Sequence, residues 1–230
     1  MFNFKSIRYP VFLGCVAALL LPSCVSNKNV AISSKDKAML VGKSVAVSQR
    51  KMPGWGVMKP ETAVAAGLGG LIGGAIAGSV AESQGKVQLE RHEIKDPAVG
   101  ISESLMGVLK KNYGIKRLPS SGVVTNEIDT KKIATAYPNS DYILDAFTVG
   151  WLGVYYPMTL TKYRVIHSSK MRLIETKSGR VVAEGFHLYQ TDDKKNAPNY
   201  DGIYSNGAAF LKRELKASSD RATHVFKEQL

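Results

Sequence analysis

Cysteine is nearly absent from this chain: two among 230 residues, Cys15 and Cys24, too few for the disulfide framework of a small secreted domain. The four histidines, His92, His167, His187 and His224, have no metal-ligand spacing, and no serine stands in a nucleophile elbow. Phosphate loops are missing too. Gly42-Lys43-Ser44 has the right ending, but Lys37 occupies the required glycine position and the motif precedes a strand instead of following one. Gly67 and Gly69 would need a third glycine at position 72, which is isoleucine, so no dinucleotide fingerprint exists. There is no internal repeat. These absences predict no cofactor and no metal, and they point away from an enzyme.

Charge is lacking in two places. No acidic residue occurs before Asp36, and no charged residue of either sign occurs from Thr62 to Ala81. The first gap belongs to a leader: Lys5 and Arg8 make a positive start, and "VFLGCVAALLLPS" is an uncharged, apolar run ending in small residues. Leu21-Pro22-Ser23-Cys24 closes it. This tetrapeptide resembles the lipobox of bacterial lipoproteins, with Pro22 departing from the usual small or β-branched residue. The resemblance implies cleavage before Cys24, its acylation, and a protein held on a membrane by several acyl chains, each contributing about 0.8 kcal/mol per buried CH₂. Val25 follows the cysteine in place of the aspartate that retains related lipoproteins at the inner membrane, which implies the outer membrane, facing the periplasm.

The chain carries 31 Lys and Arg against 19 Asp and Glu, a net charge of +12, of which the leader takes Lys5 and Arg8. A periplasmic address argues against nucleic acid as the partner of this excess. Anionic headgroups or acidic proteins remain, although the basic residues are scattered in pairs such as Lys110-Lys111 and Lys194-Lys195.

Val25 to Lys37 is polar and without period, the pattern of a tether. Lys43 to Arg50 alternates valine with polar residues and reads as a strand. Residues 84–95 read as a polar linker. Asp96-Pro97 opens a helix that ends at Gly114, and Ile115 to Leu118 reads as a short strand. A second helix covers about Asp129 to Tyr137. Three strands follow, from "DYILDAFTVGW", "LTKYRVIHSSKMRLIET" and "RVVAEGFHLYQ", with an irregularity expected near Ser168-Ser169. A helix over Ala208 to Glu228 closes the chain. The order predicts an α+β fold, a largely antiparallel sheet packed with helices, with a glycine-rich helical insertion or hairpin. Residues 1–23 are then the signal peptide, 24–40 a lipidated tether, and 41–230 one domain with 62–85 as the insertion.

Ser140 to Leu144 and the hairpin "MRLIETKSGRVVAE" resemble segments of periplasmic lipoproteins related to the amino-terminal domain of TolB, the curli secretion lipoprotein and the lipoprotein activators of penicillin-binding proteins. Glu175 and Ser178-Gly179 depart from the usual aspartate and Thr-Gly. The resemblance implies a domain that docks to other envelope proteins, and it brings no catalytic residues.

The uncharged segment is sorted. Val64, Leu68, Ile72, Ile76 and Val80 form one row at a spacing of four, and Ala66, Gly70, Gly74 and Gly78 form a row about 200° away on a helix. Ala65, Gly69, Gly73, Ala77 and Ala81 make a second small row. Such rows let helix backbones approach closely. In water the glycines would cost a lone helix about 5–6 kcal/mol relative to alanine, so a membrane or a protein surface has to compensate. Gly69, Gly70, Gly73, Gly74 and Gly78 are the expected contacts, in a bilayer, against the domain or a partner, or within a homo-oligomer, with a mobile insertion as the remaining alternative. Trp55, Trp151, Tyr155 and Tyr156 lie in segments broken by glycine and proline. They are read either as partner-contact anchors or as the cover of the core's open end.

The reading is a non-enzymatic, lipid-anchored protein that docks to or helps assemble an envelope complex. The alternatives are a pore-forming or secretion subunit that oligomerises through the glycine segment, and a periplasmic hydrolase of envelope polymers.

Overall fold

The computed structural model describes residues 28–58, 82–119, 121–156, 158–159 and 161–230. The chain forms α1 (Ser34–Leu40), β1 (Ser44–Val47), β2 (Gln49–Arg50) and β3 (Trp55–Val57), then α2 (Glu82–Arg91) and α3 (Pro97–Tyr113). After these come β4 (Lys116–Arg117), β5 (Val124–Thr125) and α4 (Thr130–Ala136). The long strands β6 (Tyr142–Tyr155), β7 (Tyr163–Glu175) and β8 (Arg180–Gln190) precede the closing helix α5 (Ser205–Lys227). The fold is α+β, and its sheet runs β4-β1-β6-β7-β8, with β3 also paired to β6.

The three long strands are antiparallel neighbours, as their hairpin spacing predicts. The short strands before them pair in parallel: β1 lies along the start of β6 and β3 along its end, with Val45 opposite Tyr142 and Trp55 opposite Trp151. Parallel pairing needs a long crossover, which the intervening helices supply. The register between β6 and β7 slips between Thr148 and Gly150, opposite Ser169 and Ser168. Val149 is the extra residue. It moves the buried phase from Leu144 and Ala146 to Trp151 and Tyr155, so one face of β6 stays against the helices along its whole length.

On that face α3 and α5 pack Ile101, Leu105, Leu109, Ala222 and Phe226 against Leu144, Met171 and Leu173. Asp96 caps α3 by accepting from the Ala98 amide at 2.9 Å, and Gly114 ends it at φ 61°. On the opposite face α4 sets Ile133 and Ala134 against Ile143 and Ile174.

Two stretches differ from the sequence reading. Residues 30–40, read as tether, are packed onto the domain. Val30 exchanges both backbone hydrogen bonds with Glu184, Ile32 is buried, and α1 holds Asp36 2.6 Å from Arg180. The polar linker is also helical: α2 buries Leu89 and runs so close to β3 that a Cβ on Gly85 would sit 1.5 Å from the Trp55 carbonyl oxygen. Gly85→Ala should therefore displace α2 and lose about 1–3 kcal/mol in urea unfolding. Gly107→Ala, on α3 with nothing within 4 Å, should be neutral or gain up to about 1 kcal/mol.

Candidate functional site

Cys24, Gly69, Gly70, Gly73, Gly74 and Gly78 lie outside the described residues. The four aromatic candidates are inside. Trp55 is 0% and Trp151 1% exposed, and Tyr155 and Tyr156 are buried as well. The two indoles meet edge to face with centroids 5.8 Å apart. Trp55 donates to the Tyr204 hydroxyl and Trp151 to the Pro53 carbonyl, each at 3.0 Å. Tyr156 donates to the Thr191 carbonyl at 2.7 Å. Rings whose bodies are covered in this way are not surface anchors, so the partner-contact reading is corrected. The β3–β6 pairing draws them into the core, a long-range contact that local turn residues do not reveal.

Beneath Trp151 runs a chain of polar groups that sequence reasoning missed. Asp96 accepts from Thr148 at 2.5 Å, Thr148 Oγ1 is 3.0 Å from His167 Nε2, and His167 Nδ1 is 2.7 Å from Ser218 Oγ. With the Thr148 proton given to Asp96, the imidazole donates from Nε2 and accepts from Ser218. Serine, histidine and a carboxylate thus stand in relay order. His167 and Ser218 have no exposure, however, and none of the four residues lines either large groove, so the serine is closed to solvent. Burial, and secondarily the charge of His187, lowers the His167 pKa to about 4 and keeps the ring neutral. His187 itself pairs with Ser169, two positions from His167. No group of three or more metal-ligating side chains occurs among the described residues.

On the other face of β6, Asp145 is fully buried between two arginines. Arg50 donates from Nε and Nη2 at 2.7 Å each, Arg172 from Nε at 3.0 Å and Nη2 at 2.6 Å, and Ser48 adds a hydroxyl at 2.5 Å. Burial alone would raise this carboxyl. The Arg50 hydrogen bonds and the charges of Arg172 and Arg50 outweigh it and hold the pKa below its ordinary value. The remaining guanidinium nitrogens donate to the Glu127 and Ile128 carbonyls, clamping the loop before α4. An aspartate in the middle of the apolar run "DYILDAF" was the available signal, because a charge at an inward strand position demands a partner.

Of the open surfaces, the groove beside β8 has the most varied chemistry. It measures about 740 Å³ and lies between the end of β8, the loop after it and the start of α5. Its floor is Glu214, which accepts from Tyr189 at 2.7 Å, Thr191 at 2.9 Å and Arg213 Nε at 3.0 Å. Burial, then Glu214, pushes the Tyr189 hydroxyl up to about 12, so it stays a donor. The rim carries Asp192, Asp193, Asn206 and Arg221. Asn206, Gly207 and Ala208 have φ of 50°, 66° and 61°, three consecutive left-handed residues, of which two have a Cβ. This turn bends the chain into α5 and seats Ala208, fully buried, beside Ile203 and Leu211. The strain is of order 1–2 kcal/mol for each non-glycine residue. A second groove of about 1000 Å³ lies at the far end of the sheet, between α1, α4 and the β7–β8 turn.

β8 is also an edge. Among the described residues its outer side meets only Val30, opposite Glu184, and the Asn29 side chain, which accepts from the Phe186 amide at 2.8 Å. Leu188, two residues on, is half exposed.

No family model matches the chain, and no curated protein matches it. Among solved structures it is similar to lipoprotein GNA1162 from Neisseria meningitidis, at 10% identity over 74% of this chain and 96% of that one, with a TM-score of 0.34. Protein XCC0632 from Xanthomonas campestris aligns at 12% identity over 82% and 86%, with a TM-score of 0.38. The C-terminal domain of LpoB from Salmonella enterica aligns at 11% identity over 66% and 84%, with a TM-score of 0.27.

Proposed function

We propose that this protein is a non-enzymatic lipoprotein of the bacterial cell envelope. Acylated Cys24 holds it on the outer membrane facing the periplasm, and its domain docks to an envelope protein. The segment over 62–85, with Gly69, Gly70, Gly73, Gly74 and Gly78, supplies a helix-packing or membrane contact. The anchor rests on the leader, on Leu21 to Cys24, and on Cys24 being the sole cysteine after it.

The observation that carries docking is the mixed-charge groove alongside a strand edge that, among the described residues, is paired only at Glu184 and Phe186. Small-molecule sites are mostly apolar, with a few convergent polar groups. A polar trough beside a strand edge suits an extended peptide, which takes main-chain hydrogen bonds from the edge and side-chain specificity from the trough. The strongest interior polar groups are already spent on one another, as Asp145 is on Arg50 and Arg172.

Acylation and docking are tested together in intact cells. Mass spectrometry should find the lipid on Cys24 and lose it in Cys24→Ala. A photo-crosslinking residue at Leu188 should join a single envelope protein, or a second copy of the chain, while one at exposed Val99 on α3 should not. An unchanged mass in Cys24→Ala refutes the anchor. Equal crosslinking from Leu188 and Val99 refutes docking at this edge.

A further inference from the structure

Three connections that the fold leaves open come together at one end of the sheet. The chain at Asn29 and Val30 runs antiparallel to β8, with Asn29 already beside Phe186, so traced backward it heads for the Gln190 end. Only six residue steps separate Val30 from Cys24, at most about 20 Å of extended chain. From Glu184 to Gln190 is also six steps, about 20 Å along a strand. Cys24 can thus reach the level of that end and little beyond it.

The glycine segment departs from the same end. Because β3 is parallel to β6, it leads upward past Trp151, and Met58 donates to the Gly153 carbonyl at 2.8 Å beside the last residues of β6. The chain returns through α2, whose Gly85 lies against the Trp55 carbonyl. From there it descends to Asp96 and Thr148, so α2 enters from above. Met58, before the uncharged stretch, and Gly85, after it, therefore both lie toward the end to which the chain before Asn29 heads.

The end itself is built from described residues. The β6–β7 turn is closed by the Tyr156 amide on the Lys162 carbonyl, and Lys162 Nζ ties it to the loop after β8 through the Lys195 carbonyl at 2.7 Å. At the tip stands Met158, 95% exposed and the most exposed large apolar residue among those described, with φ 69°. Lys194 and Lys195, whose carbonyls accept from Lys162 Nζ of that turn, are exposed, and Asp192 and Asp193 precede them.

We infer that this end, the β6–β7 turn with the loop after β8, is the face that the domain turns to the lipid bilayer, with Met158 dipping into its surface. The inference rests on the acylated-Cys24 reading. An exposed thioether at the edge of a lysine-bearing loop enters the interface at the depth where apolar groups on a polar frame lodge, about 5–10 Å. With the local charge nearly balanced, the acyl anchor supplies the adhesion, so the orientation does not require anionic lipid. The groove beside β8 then opens close to the membrane plane, and the groove at the β7–β8 turn faces away from it.

The acylated chain carries no free thiol once the leader is removed, so one introduced cysteine can be labelled cleanly. Full-length lipoprotein with Met158→Cys, and separately with Lys177→Cys on the β7–β8 turn, is labelled with a fluorophore and reconstituted on phosphatidylcholine vesicles. A nitroxide-bearing phospholipid in the bilayer is the quencher. The label at position 158 should be quenched several-fold more than the label at 177, and its emission should shift to the blue. If the protein floats with the vesicles but the two labels are quenched alike, or 177 more strongly, the orientation is overturned and the anchored reading stands. If acyl mass is absent and the protein fails to float, the anchored reading falls and the orientation with it.

Discussion

Asp145→Ala is expected to lose about 3–5 kcal/mol of stability, because it leaves two buried guanidinium groups without their carboxylate. Arg50 and Arg172 are 8% and 6% exposed in their side chains, so water cannot replace what is removed. Both also stack over Phe147, at 4.6 and 5.4 Å from its centroid, and would be held in place with their charges uncompensated. Urea unfolding checks the loss. Adding Arg172→Met to Asp145→Ala should recover part of it, since one buried charge goes with its penalty. A loss below about 1 kcal/mol in the single variant would show that the cluster is solvated.

The same carboxylate sets a pH dependence. Its folded pKa lies below its ordinary 3.8, so its contribution is complete above that value and disappears as pH falls through the lower, folded one. The Asp145→Ala and wild-type stabilities should therefore converge on acidification below about pH 4 and stay parallel above it.

The second large effect is at Trp151. Trp151→Ala should cost about 3–5 kcal/mol, the range for deleting a buried large aromatic. The indole is 1% exposed, lies edge-on to Trp55, and sends its N–H to Pro53. A surface anchor would behave differently, weakening partner capture while leaving the unfolding midpoint unchanged. Trp151→Phe should retain part of the packing and fall between wild type and alanine. If Trp151→Ala unfolds within about 0.5 kcal/mol of wild type, the ring is not core.

The elements legible in the sequence were those specified by neighbours in the chain. Asp96, Pro97 and Gly114 bracket α3 locally, and the Lys177 to Gly179 turn closes the β7–β8 hairpin. The irregularity near Ser168-Ser169 was also visible, although the extra residue proved to be Val149 on the facing strand. Less could be read where partners are distant. β1 and β3 find β6 almost a hundred residues later, so no periodicity near Trp55 marks it for burial. The relay from Asp96 to Ser218 draws on four separate segments, and its groups look ordinary in each. Residues 82–91 carry a polar sequence that is helical mainly through packing on β3, beyond what local propensity indicates.

The way β3 hands over to α2 has an entropic consequence. Met58 and Glu82 bound 23 intervening residues, and the ends are fixed because each abuts the same strand neighbourhood. Replacing a three-residue connection by one of that length raises the closure penalty by only about 2 kcal/mol, and doubling it again would add about 0.6 kcal/mol. The domain is therefore almost indifferent to how long that stretch is. Closure entropy alone therefore sets no requirement for its twenty uncharged residues or for their four-residue spacing.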